Sequence, residues 1–214
     1  MGTAPFPGYS RAEHRADAAI HAVGLCAGVV GAAAVLGVVV PAATTPAAAG
    51  LTFYAPALVV MLGASAAYNL AREPGRKLVL RRLDHAAIFV MIAGTYSPFA
   101  LAAIGGPWGV SLFAANWGLA VAGALHATIW PRWGERAETA VYLLMGWSIL
   151  LAVERLIAGV DTLAIGLLLG GGVIYTLGVI LHNAERLPFH NALWHACVLT
   201  AAACHYLAIW TTFA

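Results

Sequence analysis

The stretch LDHAAIFVMIAGTYSPFALAAI, residues 83–104, decides the fold. A single carboxylate stands at its start and no further charged side chain follows. A bilayer core about 30 Å thick needs roughly 20 apolar residues per helical span, and this stretch meets that length. Outward from it the pattern repeats, and six further apolar runs fall at 18–40, 51–71, 108–130, 137–157, 161–182 and 190–212. Of the 214 residues 62% are apolar and 9% charged, with a mean hydropathy of +0.84, whereas about a quarter of a soluble domain is charged. The sequence therefore predicts an all-α membrane protein, a seven-transmembrane helix bundle. Residues 1–17 form an N-terminal segment and 18–214 the membrane domain, and the short connections leave no room for a soluble domain.

The basic residues fix the expected orientation. Arg11 and Arg15 precede the first span, Arg72, Arg76, Lys77, Arg81 and Arg82 fill the second connection, Arg132 and Arg136 the fourth, and Arg186 the sixth. These are alternate connections on one side. The opposite connections lack Lys and Arg, apart from Arg155 beside Glu154 at a span end. The positive-inside rule then places the N-terminus in the cytoplasm and the C-terminus outside. Topology accounts for the basic residues, so the net charge of +2 calls for no nucleic-acid partner. No removable signal peptide is read in the first residues.

Several features read as packing. Cys26, Cys197 and Cys204 lie inside apolar runs and are expected to be free, buried thiols. Gly166 and Gly170, with Gly171 and Gly172 beside them, give a small-xxx-small face in the sixth span, a pattern that lets helices approach closely in lipid. Trp108, Trp130 and Trp133 fall at span ends as interfacial anchors.

Polar groups placed in lipid are costly and mark function by default. Here they gather at one end: Asp17 with His21, Ser65 with Asn69, and Asn191 with His195 are i,i+4 pairs sharing a helix face, and Asp84 opens the third span. Asn69, Asp84, Asn191 and His195 lie within roughly 10 Å of the cytoplasmic interface at 1.5 Å per residue, Ser65 is one turn deeper than Asn69, and Asp17 and His21 are on the same side of the membrane. Glu13 adds a third residue to the series on the first span. Each has a bland reading as well. Asp84 fits a carboxylate at a helix N-terminus, Ser65 a hydroxyl bonded one turn back, His195 an imidazole bonded to a neighbouring helix, and Glu13, Asp17 and His21 a cap or solvated turn. Of the other histidines, His85, His126, His182, His190 and His205 read as interfacial or packing residues.

The runs RRLDHAAIFVMIAGTYSPF (81–99), VYLLMGW (141–147), YTLGVI (175–180) and PFHNALWHACVLTAAACH (188–205), together with the E-x3-D-x3-H of Glu13, Asp17 and His21, resemble the hemolysin III branch of the progestin and adipoQ receptor family over essentially the whole chain. The resemblance implies a zinc ion near the cytoplasmic face, held by an S-x3-H histidine on the second span and an H-x3-H pair on the seventh. A third-span aspartate would hold a bound water. Ser65, Asp84 and His195 match that pattern, but Asn69 and Asn191 stand where two histidines are expected. An amide offers zinc only a neutral carbonyl oxygen, so two such replacements are expected to remove most zinc affinity and to leave, in order of preference, an apo polar pocket, a weakened metal site on His195 and Asp84, or a site recruiting His21 or His190.

Two function classes follow. One is a receptor-like or lipid-homeostasis protein whose cavity takes a membrane lipid, a fatty acid or a ceramide-like ligand. The other, implied by the family's similarity to ceramidases, is an intramembrane metal-dependent amide hydrolase in which Ser65, Asp84 and His195 carry the catalysis. A cytolytic role, implied by the branch's name, finds no support in spans that form a resident bundle. The expected location is a bacterial plasma membrane.

Overall fold

Seven helices long and apolar enough to cross a membrane organise the computed structural model, which describes residues 8–131 and 134–214. They are α1 Arg11–Ala42, α2 Thr45–Leu70, α3 Pro74–Ile104, α4 Gly106–Ile129, α5 Arg136–Gly159, α6 Thr162–His182 and α7 His190–Phe213. The described residues contain no strand. The expected spans are all present, but several start earlier than hydropathy alone suggests. α1 begins at Arg11 because Ser10 and Glu13 form a capping box: the Ser10 hydroxyl accepts from the Glu13 N–H at 3.2 Å, and the Glu13 carboxylate accepts from the Ser10 N–H at 2.8 Å. α3 begins at Pro74, a residue suited to a first helical turn. There the exposed Glu73 carboxylate accepts from the N–H groups of Arg76 and Gly75, which hold it below the usual carboxylate range.

α3 is the central helix, with 61% of its apolar window buried against 17–28% for α1, α4, α5 and α6. It packs on α2 and α4, while α1 packs on α2 and α7, and α6 on α7. α5 touches α3, α4 and α6. The large outward side chains, such as Leu144 and Leu151, stay exposed, as a lipid-facing surface requires.

The buried stripe of α1 is Asp17, His21, Gly24, Gly28 and Ala32. Steps of three and four keep these residues on one face, where Asp17 and His21 meet His195 of α7 and the glycines meet Leu62 of α2, Gly24 also reaching Leu199 of α7. A Cβ on Gly28 would run into Leu62, so the glycine lets α1 approach α2 closely. On α6 the close approach falls to Gly171 and Gly178, which face His205, Cys197 and Trp194 of α7. The expected face through Gly166 and Gly170 is instead open, with nothing where a Cβ would stand.

α5 breaks its regular ladder at Ser148–Ala152, where the turns tighten. In lipid the groups released by such a break need internal partners. Tyr96 of α3 supplies them, donating to the Gly146 carbonyl at 2.7 Å and accepting from the Ile149 N–H at 2.7 Å. Ser148 adds a bond to the same phenol at 3.2 Å.

Two expectations need correction or limits. Cys26 is exposed on the outer surface of α1 rather than buried, because it lies off the Asp17–Ala32 stripe, while Cys197 and Cys204 are half-buried. Trp108 and Trp130 are exposed at helix ends as anchors should be, and the Arg155 guanidinium stacks over Trp108 at 5.4 Å. Arg132 and Trp133 lie outside the described residues.

Candidate functional site at the basic end of the bundle

The start of α1 is tied to the start of α7. The second Glu13 carboxylate oxygen accepts from the Phe189 N–H at 2.9 Å, and Phe189 turns the chain into α7 with φ +61°. That left-handed conformation is uncommon for a bulky residue. Tyr9 packs against the His190 ring at 5.6 Å. Burial pushes its phenol up to about 12, so it stays protonated. Below this junction Asp17, buried on α1, meets His195, buried on α7: Asp17 Oδ1 lies 2.6 Å from His195 Nδ1. A carboxylate on Nδ1 places the proton there and leaves the Nε2 lone pair free to face elsewhere.

His195 Nε2 faces Asn69 Nδ2 at 3.4 Å. The Asn69 amide also donates to the Ser65 carbonyl at 3.0 Å, and its oxygen accepts from Asn191 Nδ2 at 3.4 Å. The Ser65 hydroxyl faces the Asp84 carboxylate. Ser65, Asn69, Asp84, Asn191 and His195 all line one cavity of about 400 Å³ bounded by α2, α3, α5, α6 and α7. The residues singled out from sequence on α2, α3 and α7 thus converge. Around and below these groups the wall is mostly apolar, with Met61, Ile88, Met91, Ile92 and Val198, and Thr95, Thr176, Tyr175 and His205 add polar atoms at its deeper end.

The α1 residues sit behind this cavity. Glu13 and Asp17 line a separate void of about 10 Å³ with Tyr9, His14, Phe189, Asn191 and Ala192, about the space of one water. His21 lines neither void. Among the described residues, the group of three whose ligand atoms come within 4.8 Å of one another, and which could hold a metal ion, is Asp17, His21 and His195. Asp84, expected as a metal-site residue, lies outside that group, and the carboxylate bonded to His195 is that of Asp17.

A second polar cluster escaped sequence reading. Glu138 of α5, 4% exposed, bonds His85 Nδ1 at 2.6 Å and stands 3.6 Å from His126 Nδ1. The Tyr142 hydroxyl donates to the His85 carbonyl at 3.0 Å. The available signal was an acidic residue one step inside an apolar run. His85 and His126 therefore take the packing side of their expected reading, in a network that joins α3, α4 and α5 through the buried Glu138.

Fold and site define a multi-pass integral membrane protein with a polar cavity inside its helix bundle. The chain belongs to the Haemolysin-III related family, whose pattern matches residues 10–206. It is similar to Hemolysin-3 of Bacillus cereus, 34% identical over 166 residues that make up 78% of this chain and 76% of that protein. It is also similar to the Hemolysin-3 homolog of Bacillus subtilis (strain 168), 32% identical over 158 residues and 74% of each chain. The Monocyte to macrophage differentiation factor of Homo sapiens is 34% identical over 130 residues, 59% of this chain and 52% of that protein.

Proposed function

We propose that this chain is a receptor-like or lipid-homeostasis membrane protein whose cavity takes a single amphiphile from the membrane, such as a fatty acid or ceramide-like lipid. The observation that carries the reading is a cavity that gathers polar side chains at the basic end of the bundle while most of its wall is apolar. Its 400 Å³ falls within the roughly 300–1,000 Å³ of small-molecule sites. Ser65, Asn69, Asp84, Asn191 and His195 would receive the head group, and Met61, Met91 and Val198 the chain. The polar end opens toward the cytoplasm in the orientation that the basic connections favour.

The two asparagines favour binding over hydrolysis. Two amides bonded to each other make a poor zinc shell, and the Asn69 oxygen is already taken by Asn191. The positions at which the family resemblance expects zinc therefore do not fit it.

One observation favours a second reading, amide hydrolysis. Asp17 holds His195 so that Nε2 faces the cavity, the arrangement of an oriented general base.

Purified protein in detergent, given palmitate or a long-chain ceramide, separates the readings. The proposal expects saturable binding that raises the thermal midpoint and is lost in Val179→Trp, with no fatty acid released. Release of fatty acid from ceramide, abolished in Asp84→Ala and His195→Ala, would establish the hydrolase instead. Neither binding nor release would overturn both.

A further inference from the structure

We propose that Asp17, His21 and His195 bind one divalent transition metal, with zinc as the reference ion, as a structural staple between α1 and α7 outside the lipid cavity. The donor set is two imidazoles and a carboxylate, which suits first-row ions such as zinc. It spans two helices that meet at the basic end. Asp17 and His21 lie one turn apart on α1, and His195 faces them from α7, its ring centroid 4.4 Å from that of His21.

The geometry leaves one donor unused. His21 is 6% exposed, and its Nε2 is buried without a hydrogen-bond partner. It stands 3.6 Å from Asp17 Oδ2, beyond hydrogen-bond reach. At 3.6 Å that contact is only a loose ion pair, and a cation shared with His195 would complete the coordination that the spacing leaves open. Bonds of about 2.0–2.1 Å at a tetrahedral angle place two donors of one zinc roughly 3.3 Å apart. The His21–Asp17 separation of 3.6 Å matches this within a few tenths of an ångström. The 2.6 Å His195–Asp17 contact would open by about 0.7 Å on that same geometry, the ion replacing the proton that His195 Nδ1 holds toward Asp17, which is released on binding.

The position sets the role. Neither Asp17 nor His21 lines the main cavity, so the ion joins helices rather than meeting the cavity's ligand. Relative to the ligand set that the family resemblance implies, it moves toward α1 and keeps only His195. The proposal does not depend on what the cavity binds.

Full-length protein in detergent, stripped with a chelator and dialysed against micromolar zinc, should retain one zinc per chain by elemental analysis. Its thermal midpoint should rise on zinc addition. Asp17→Asn and His21→Gln should each weaken binding at least tenfold and abolish the thermal response, whereas Asn69→Ala and Asn191→Ala should leave both intact. Should the α1 variants fail to fold, zinc-edge X-ray absorption on the wild type decides, and two imidazoles in the shell are expected. Zinc-free wild type, full affinity in both α1 variants, loss on changing either asparagine, or a shell without imidazole would each overturn the proposal. Lipid is absent from every arm, so failure here is separate from failure of the cavity reading.

Discussion

Glu138 shows what a single carboxylate must do inside this bundle. It is buried between His85 of α3 and His126 of α4, at 2.6 and 3.6 Å, and so joins three helices with one side chain. Glu138→Leu leaves the His85 Nδ1 contact unmade, and a buried polar group stripped of its partner costs about 1–3 kcal/mol. Glu138→Gln keeps an acceptor oxygen and should lose less. Unfolding midpoints in detergent should rank wild type, Gln, then Leu, and a Leu variant as stable as wild type would refute the role. At this scale sequence reading succeeds with depth and fails with direction. Ser65, Asn69, Asp84, Asn191 and His195 share one cavity because their distance from a span end can be counted along the chain. The Asp17–His195 bond depends on how α1 is rotated against α7. That rotation is set by Gly24 and Gly28 packing on Leu62 and Leu199, a tertiary fact that spacing alone does not carry.

Helix contacts in this bundle are set by where backbone meets backbone. A Cβ on Gly50 of α2 would strike the Pro98 backbone of α3, and one on Gly109 of α4 would strike the Ala100 carbonyl. Both crossings lie near the irregular turns of Phe99–Ile104, where rigid backbone cannot step aside as a side chain would. Gly50→Ala and Gly109→Ala should each cost about 1–3 kcal/mol by overpacking. Gly166→Ala meets open space and should be neutral, within about 0.5 kcal/mol. Thermal midpoints of the three variants check this, and equal loss in all three would show that these contacts do not limit packing. Helix existence was legible, since every apolar run became a span. The ends of α1 and α3 were not, because capping by Ser10, Glu13 and Glu73 extends helix into polar sequence. The glycine face was misplaced for a related reason: a small residue permits close approach but does not say which side is used, and α6 uses Gly171 and Gly178.

Orientation in the bilayer is a property of the whole chain. Seven candidate spans are expected to leave the two termini on opposite sides, and the α2–α3 connection carries Arg72, Arg76 and Lys77 while Arg81 and Arg82 follow in the first turns of α3. On the other face Arg155 stacks on Trp108. Each Lys or Arg held back near the cytoplasmic surface contributes about 1 kcal/mol through anionic lipid, so the five residues at the start of α3 outweigh Arg155 alone. The positive-inside rule counts Lys and Arg close to the span ends, and by that count α1 is expected to enter from the cytoplasm. Alkaline phosphatase, active only outside the cytoplasm, should therefore be active when fused after Ala214 and inactive when fused within residues 71–73. Replacing Arg72, Arg76, Lys77, Arg81 and Arg82 with Gln should reduce that difference, because the charge asymmetry then rests on the remaining connections. The reverse activity pattern would place the polar end of the cavity on the outer face, and the candidate ligand would then have to enter from the opposite leaflet.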